Sequence, residues 1–567
     1  MERSGAEIVI ELLQRQGVPW IAGMPGGAAL PLYDAIARLG LDHVLVRHEQ
    51  AAGFMAQGYA RVTGRAGVCL ATSGPGATNL LTSVADAQRD SVPLVAITGQ
   101  VPQALLGTDA FQEIDTPSLC RSSVKHCVQV RSARQLLEVV PQAFAIAEGG
   151  RPGAVWLDIP KDVQQERVEF ERWPGAGRAQ PRKAPEAAGL EALCARMDGA
   201  VRPLLMIGGG LNSERGQRAL SALLARAPMP VASTLLGLGL LSPRHELSLG
   251  MLGMHGAPYT NLLLREADLV IALGVRFDDR ATGKLSEFCP DAAIAHVDID
   301  PRELGKLRLP ELPLLGDAPA ALEWLAAHAP RRQRPRWLAR LAQLKAERPM
   351  PPPPRRDLTC GPSLIARLGA MWPAERIVTT DVGQHQMWVA QHFAFERPRS
   401  LLTSGGLGTM GFGLPAAIGA AMAADAPVLC ISGDGSLLIN VQELATLAEL
   451  QLPVKILVLD NGHLGLVRQQ QALFYDDRPS AARFERPTDF VALAKAFGLP
   501  AMRLEAGASG QDQLANALRQ PGPCLIHAPI EAHDHVRPMV PPGAGNHQML
   551  LMQNEATLLD APLEPRA

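Results

Sequence analysis

Ala426-Pro-Val-Leu-Cys-Ile-Ser-Gly-Asp-Gly-Ser436 is an apolar run that ends on glycine, an acid and a second glycine. The run has the length of a buried strand, and a helical pattern from Asn440 to Leu450 follows it. Strand, turn and helix in that order predict a parallel α/β sheet, with Asp434 at the carboxyl edge where such sheets bind ligands. The glycines let the backbone approach a diphosphate, whose charge is favoured by turns of exposed N–H groups and helix N-termini. A Gly-Asp-Gly alone suits any turn, but 25 residues later (436 to 460) a second apolar run, Lys455 to Leu459, ends in Asp460-Asn461-Gly462-His463. Parallel neighbours bring their carboxyl ends together, so the oxygens of Asp434 and Asn461 suit a magnesium ion that also binds phosphate.

The same alternation extends in both directions. Ile377 to Thr380 and Cys524 to Ala528 are further strand-like runs of this unit, which spans 358–545 and precedes a tail at 546–567. Upstream, Ala329 to Asp357 is rich in arginine and contains Pro351 to Pro354, a break that no helix or central strand crosses. A middle unit, 188–328, begins with Pro203 to Ile207, and Trp173 to Ala187 reads as a linker before it. In the first unit, 1–170, buried strands are expected at Val44 to Val46, Gly67 to Ala71, Leu94 to Thr98 and Ala154 to Ile159. The expected fold is α/β, with three doubly wound parallel-sheet domains.

Bulk properties agree with a large soluble enzyme. The 567 residues exceed one hydrophobic core, and 47% hydrophobic with 19% charged residues is an ordinary globular composition. Fifty-four basic residues oppose 56 acidic ones, a formal charge of -2 without a basic run, which argues against nucleic acid as a partner. The eight cysteines lack metal-ligand spacing and read as reduced core residues. No signal-like N-terminus or membrane-length apolar stretch is visible, so the expected location is cytoplasmic.

His43-Val-Leu-Val-Arg-His-Glu49 places a glutamate at the end of a strand-like run, directly before the small-residue helix Gln50 to Arg61. The Gly-Asp-Gly, 25 residues and Asn461 resemble the signature of thiamine diphosphate enzymes, and thiamine chemistry needs such a carboxylate, because the cofactor deprotonates its thiazolium carbon only when a carboxyl group hydrogen-bonds its pyrimidine. Burial, which raises a carboxylate pKa, suits that task. The same residue could serve as the first-turn acid of the helix.

Longer motifs narrow the reading. Met24-Pro-Gly-Gly27, Arg47-His-Glu-Gln50, Ala71-Thr-Ser-Gly-Pro-Gly-Ala-Thr-Asn79 and Ile97-Thr-Gly-Gln100 occur in order, followed by Gly107-Thr-Asp-Ala-Phe-Gln-Glu113 and Lys125-His126. Gly250-Met-Leu-Gly-Met-His-Gly256, Arg276-Phe-Asp-Asp-Arg-Ala-Thr-Gly-Lys284, Val297-Asp-Ile-Asp-Pro301, Gly383-Gln-His-Gln-Met-Trp388, Gly405-Gly-Leu-Gly-Thr-Met-Gly-Phe-Gly-Leu-Pro415 and Val540-Pro-Pro-Gly-Ala-Gly545 continue the series. Over nearly its whole length the chain resembles the acetolactate synthases (acetohydroxyacid synthases), thiamine diphosphate enzymes.

The resemblance implies thiamine diphosphate, Mg2+ and FAD as cofactors. It makes Glu49 the activator of thiamine diphosphate, and Asp434, Asn461 and His463 (through its carbonyl) the metal ligands. Pro25, Ser73, Asn79, Gly383, Gln384, His385, Gly408, Met410, Gly433, Gly435, Ser436, Leu464 and Gly465 would line the same cofactor, Met410 beneath its bend. Gly27, Phe111, Gln112, Lys161, Met254, Val382, Gln470 and Arg280 would surround the substrate, and a planar guanidinium such as that of Arg280 grips a carboxylate bidentately. Arg151, Gly208, Gly209, Gly210, Met254, His255, Gly274, Val275, Arg276, Asp298, Ile299 and Asp317 match the family's FAD positions. The flavin there is mainly structural.

The implied reaction decarboxylates pyruvate and joins the two-carbon fragment to a second 2-oxo acid. Pyruvate as acceptor gives 2-acetolactate and 2-oxobutyrate gives 2-aceto-2-hydroxybutyrate, for branched-chain amino acid synthesis. The resemblance further implies a homodimer or homotetramer with active sites between chains, and a small regulatory subunit in many members. One position departs from the pattern: biosynthetic members usually carry tryptophan where Gln470 stands. Loss of the indole predicts a weaker preference for 2-oxobutyrate and resistance to inhibitors that lean on it. A pyruvate oxidase, a 2-oxo acid decarboxylase and a catalytically silent paralogue remain alternatives.

Overall fold

The computed structural model describes residues 1–424 and 426–551. Three six-stranded sheets follow one another along the chain, each parallel throughout. The first contains Trp20–Gly23, Asp42–Leu45, Gly67–Ala71, Leu94–Gln100, His126–Gln129 and Ala154–Pro160, hydrogen-bonded in the order 2-1-3-4-6-5. The third repeats that order with Val378–Thr380, Leu401–Leu402, Val428–Gly433, Val454–Asp460, Ala501–Arg503 and Cys524–Pro529. In the middle unit Pro203–Ile207, Val231–Ser233, Ser248–Met251, Leu269–Leu273, Ala293–Asp298 and Leu312–Leu315 are ordered 3-2-1-4-5-6. That is the order of dinucleotide-binding sheets, whose ligand crosses the carboxyl edge where the order reverses. Here the reversal falls between Pro203–Ile207 and Leu269–Leu273. In the third sheet it falls between Val378–Thr380 and Val428–Gly433, which end next to Val382 and Asp434.

The expected three-sheet fold is present, but two of the units share a core. Phe54, Met55 and Leu80 from the first unit are buried in one cluster with Phe412, Ile418 and Val458 from the third. Close approach of two helices makes this so. A Cβ at Gly58 in Glu49–Thr63 would lie 2.2 Å from the carbonyl oxygen of Ala416, and one at Gly419 in Gly413–Ala424 would lie 1.9 Å from that of Met55. Only glycine permits backbones to meet at that distance.

The structure also corrects local expectations. The helix after Gly433 begins at Asp434 itself, as Asp434–Leu437 and a 3-10 turn, before Glu443–Leu450. Asp42–Leu45 is an edge strand whose side chains alternate between buried Val44 and exposed Leu45, since it pairs with Trp20–Gly23 alone. The arginine-rich break holds the helix Pro335–Glu347, whose Trp337, Leu341 and Leu344 pack into the middle unit at a helical spacing that the arginines obscure. Strands Trp20–Gly23, Leu401–Leu402 and Ala501–Arg503 were too short to stand out from sequence. The tail expected from 546 is described only to 551, where Met539 and Leu550 bridge and Asn546 donates to the Ala281 carbonyl at 2.8 Å. All eight cysteines are free, and six are buried. Among the described residues no helix is long and apolar enough to cross a membrane.

Burial holds His43, His255, His385, His392 and His535 neutral, pushing each down to about 4. Unfolded histidines ionise near the ordinary 6.5, so between those values the unfolded chain binds more protons and acid favours it. The thermal midpoint of the apoprotein should therefore drop steeply from pH 6.5 to 4. A flat calorimetric profile over that interval would contradict the burial of these rings.

Candidate active site

The carboxyl edge of the third sheet gathers the expected diphosphate and metal residues. Asp434, 5% exposed, accepts from the Gly435 N–H with Oδ1 at 2.8 Å, while its buried Oδ2 has no hydrogen-bond partner. Burial and the neighbouring Asp460 push its carboxyl up. Asp460 is held low: its burial is outweighed by His527, 2.9 Å away, and by the neighbouring Asp434. Next to it, Asn461 donates to Gln384 Oε1 at 3.2 Å and accepts from the His463 N–H at 3.0 Å. A Cβ at Gly465 would lie 2.2 Å from that Gln384 oxygen, so the glycine leaves room for the Gln384 and Asn461 side chains to meet. Ser436 donates to the Val382 carbonyl at 2.7 Å, and Leu464 lies against Gly435. His385 packs against Gly383 and Gly433 with its Nε2 buried and unpartnered. An orphaned carboxylate oxygen and an orphaned imidazole nitrogen on one sheet edge fit a cation and an anion respectively. Among the described residues no three His, Cys, Asp or Glu side chains cluster as a metal site, so a cation here would take further oxygens from a phosphate ligand.

Beside this edge, beyond the Val382 that Ser436 contacts, lies a cavity of ≈ 950 Å³ whose lining does not include Asp434, Asn461 or His463. Val382, Gly408 and Gln470 line it from the third unit, and Met254, His255 and Arg280 from the middle one. Its wall continues past Gly209, Gly210, Gly274, Val275, Arg276, Asp298, Ile299 and Asp317, the edge at which the middle sheet reverses order, to Arg151. Gly208 stands behind the wall, where a Cβ would lie 2.5 Å from the Gly274 carbonyl oxygen. Arg151 is fastened to Asp300 at 3.2 Å, Glu303 at 2.7 Å and the Ser91 hydroxyl at 2.8 Å. Burial pushes the Asp298 carboxyl up to about 6.

Arg280 rides on the short helix Asp279–Thr282, whose N-cap, Asp278, accepts from the backbone N–H groups of Arg280 and Ala281. Its guanidinium is 66% exposed, 3.7 Å from Asp279 and 3.6 Å from the Met254 sulfur. The carboxylate of Asp278 is thus spent on the cap, and the pair with Asp279 is too open to immobilise the guanidinium.

A second group forms on the first sheet. Glu49 opens the helix Glu49–Thr63, capped by His48, is 7% exposed, and accepts from the Asn79 side chain at 3.0 Å. Buried, unpartnered hydroxyls of Thr72 and Ser73 stand on the same edge, a Cβ on Gly74 would touch Gln112, and Gly27 and Pro25 face solvent. Phe111 is 88% exposed, and Lys161 begins the helix after the neighbouring strand. Among the described residues, Glu49, Gly27, Phe111, Gln112 and Lys161 do not line the ≈ 950 Å³ cavity. Asp434 and Asn461 lie outside that lining as well, and since Glu49 stands on the first sheet and Asp434 on the third, one chain displays two half-sites on different sheets. Met410 sits on the loop from Ser404 to Gly411, outside the cavity lining.

Two buried groups escaped the sequence reading. Asp381, 1% exposed and pushed up to about 6 by burial, accepts from the Val382 and Gly411 N–H groups and Ser432. Gln469 accepts from Gln384 at 2.9 Å. Asp381 ends a strand in front of Val-Gly-Gln, the same signal that marked Asp434; Gln469 carries none.

Comparison with known proteins agrees with this geometry. Residues 3–119 match the thiamine pyrophosphate enzyme N-terminal TPP binding domain, 190–325 the central domain and 381–528 the C-terminal TPP binding domain. The acetolactate synthase isozyme 1 large subunit of Escherichia coli (strain K12) is 48% identical over 550 residues, covering 96% of this chain and 97% of the relative. The isozyme 2 large subunit of the same organism is 46% identical, with 96% and 99% covered. An acetolactate synthase of Mycobacterium leprae (strain TN) is 44% identical, with 98% and 92% covered. With identity of this level along almost the whole length, and TPP binding domains on the two sheets that hold the half-sites, the chain belongs to the acetolactate synthase family of thiamine diphosphate enzymes.

Proposed function

We propose that this chain is the catalytic subunit of a cytoplasmic acetolactate synthase, which converts two pyruvates into 2-acetolactate and CO2 and accepts 2-oxobutyrate as the second substrate. The observation that carries the reading is the ≈ 950 Å³ cavity that brings Val382 and Gln470, which flank the Asp434 sheet edge, together with Arg280 and the nucleotide-type edge of the middle sheet. Bound thiamine diphosphate supplies an electron sink for the carbon that loses CO2. Asp434, Asn461 and the His463 carbonyl would hold magnesium against its diphosphate, with Gly383, Gln384, His385, Gly433, Gly435, Ser436, Leu464 and Gly465 around them. Met410 and Gly408 would support the cofactor's bend, and Glu49, aided by Asn79, Ser73 and Pro25, would hold a proton at its pyrimidine ring.

Arg280 binds the acceptor carboxylate, free to do so because Asp279 holds it so loosely. Gly27, Phe111, Gln112, Lys161, Met254 and Val382 shape the substrate chamber and exclude water. The middle-unit edge from Gly209 to Asp317, with Arg151, would take FAD as a structural element; its strand order and Arg276 on the cavity wall support a dinucleotide.

Separation of the two half-sites supports an active site completed by a second copy, with Glu49 of one chain serving the diphosphate edge of the other. Exposed Phe111 and Leu30 suit such an interface. A large-subunit relative suggests that a small subunit joins the assembly. Product analysis after incubation with pyruvate, with and without FAD, tests the reading: acetolactate is expected, and acetyl phosphate or acetaldehyde as the main product would replace it by an oxidase or decarboxylase.

Gln470 lines the acceptor side of the cavity. An amide offers less apolar surface than an indole, and a methylene in an apolar pocket is worth only about 1–3 kcal/mol. With both acceptors at equal concentration, acetolactate and acetohydroxybutyrate should form in comparable amounts, and Gln470→Trp should shift the ratio toward the latter. A strong excess of acetohydroxybutyrate from the unaltered enzyme would sink this expectation.

A further inference from the structure

Helix Pro75–Arg89 ends with two acids one turn apart, Asp86 and, at its C-cap, Asp90, both with side chains fully buried and facing one cation, Arg61. Burying two carboxylates with one guanidinium is costly unless further donors reach them. Those donors come from another unit. The hydroxyls of Ser404 and Thr409 donate to Asp86 Oδ1, Thr409 at 3.0 Å, and the Gly405 and Gly406 N–H groups donate to Asp90 at 2.9 and 2.7 Å. Arg61 completes the set, 2.8 Å from Asp90 and 3.7 Å from Asp86, with its charge over the Phe412 ring at 5.1 Å. Inside the loop the Thr409 N–H donates to the Ser404 hydroxyl at 2.9 Å, and its far end is held by the Gly411 N–H donating to Asp381 at 2.8 Å. Between the two anchors lie Gly408, at φ +71°, and Met410.

We infer that Asp86, with Arg61 and Asp90, is a positioning device that holds the loop from Ser404 to Gly411 and so sets where Met410 stands beneath the cofactor. The inference rests on the proposed role of Met410. Backbone amides held by a buried carboxylate lose most of their freedom, and a loop with glycines at four of its eight positions has no stiffness of its own. The device also links the half-sites: Glu49 and Arg61 are opposite ends of one helix, about 18 Å apart at 1.5 Å per residue. The first unit thus presents Glu49 in one direction while bracing, with Arg61, the loop that belongs to the other half-site of the same chain.

The test compares Asp86→Asn, Thr409→Val, their combination and Met410→Ala in the full-length enzyme. Three quantities are read: deuterium exchange at C2 of thiamine diphosphate under saturating cofactor and Mg2+, the cofactor dissociation constant from tryptophan fluorescence, and the thermal midpoint of the apoprotein. Asp86→Asn should slow exchange about tenfold, the equivalent of one hydrogen bond to a charged group, and Thr409→Val about threefold. Because Asp86→Asn weakens the contact that Thr409→Val deletes, the double variant should be slower than Asp86→Asn alone by less than the Thr409→Val factor. The cofactor should bind more weakly in each. A purely structural role would lower the midpoint and leave exchange in the saturated enzyme unchanged, and that result overturns the inference, provided Met410→Ala slows exchange. If Met410→Ala exchanges at the unaltered rate, the proposed role of Met410 falls, and the inference with it. Should Asp86→Asn fail to fold, Thr409→Val, which removes one hydroxyl, still decides.

Discussion

Glu49→Gln should lower kcat by about two to four orders of magnitude, the range over which a positioned proton-transfer group contributes, while leaving cofactor affinity within a few-fold. The substitution preserves volume at a side chain only 7% exposed, and a glutamine oxygen can still accept from Asn79. What it loses is the capacity to carry a proton. Steady-state turnover at saturating cofactor checks this, and a variant retaining more than a tenth of the activity would remove Glu49 from its assigned role. The same variant tests the two-chain site. Mixed with an Asp434→Ala chain, dissociated and reassociated, half of the dimers contain one chain of each kind. In those, an inter-chain arrangement concentrates both defects in one site and leaves the other intact, so about a quarter of full activity returns. Sites contained within single chains would return none.

Asp434→Asn should weaken binding of Mg2+ and thiamine diphosphate at least about a hundredfold and at the same time stabilise the apoprotein. Both effects have one origin. Oδ2 is buried without a partner, so the apoprotein holds an acid that burial and Asp460 resist ionising, a cost of about 1–3 kcal/mol for an unsatisfied group and more once it is charged. The sign follows from linkage. A carboxyl raised above its unfolded value contributes stability that is complete below the ordinary carboxylate range and is lost as pH rises through the raised value. Calorimetry of the two apoproteins should therefore show a gap that widens from pH 5 to pH 8, with the asparagine variant the more stable. Equal midpoints across that interval would mean that Asp434 bears no such cost, and unaltered cofactor affinity would remove it from the metal site.

Much of the diphosphate half-site was legible because its residues lie where strands end. Asp434 and Asn461 close apolar runs that burial on both faces of a parallel sheet requires, and a ligand edge follows from that topology. The edge strand Asp42–Leu45 was harder to read, since half of it faces solvent and its pattern alternates. Trp337, Leu341 and Leu344 were hidden by the arginines between them, although their spacing is helical. Asp86 and Asp90 offered no signal. Two acids at the end of a surface helix usually meet water, and only the approach of the loop from Ser404 to Gly411 buries them.

The amino-acid sequence by itself determined the three parallel sheets and the turn chemistry at Asp434 and Asn461, because periodicity and glycine placement act over a few residues, and the family resemblance marked the departure at Gln470. Tertiary structure alone decided the 3-2-1-4-5-6 order of the middle sheet, the shared core at Gly58 and Gly419, and the cavity that brings Arg280 together with Val382 and Gln470 while leaving Glu49 outside. These depend on strands and helices far apart in the chain meeting at van der Waals distance, and no local pattern encodes which of them meet.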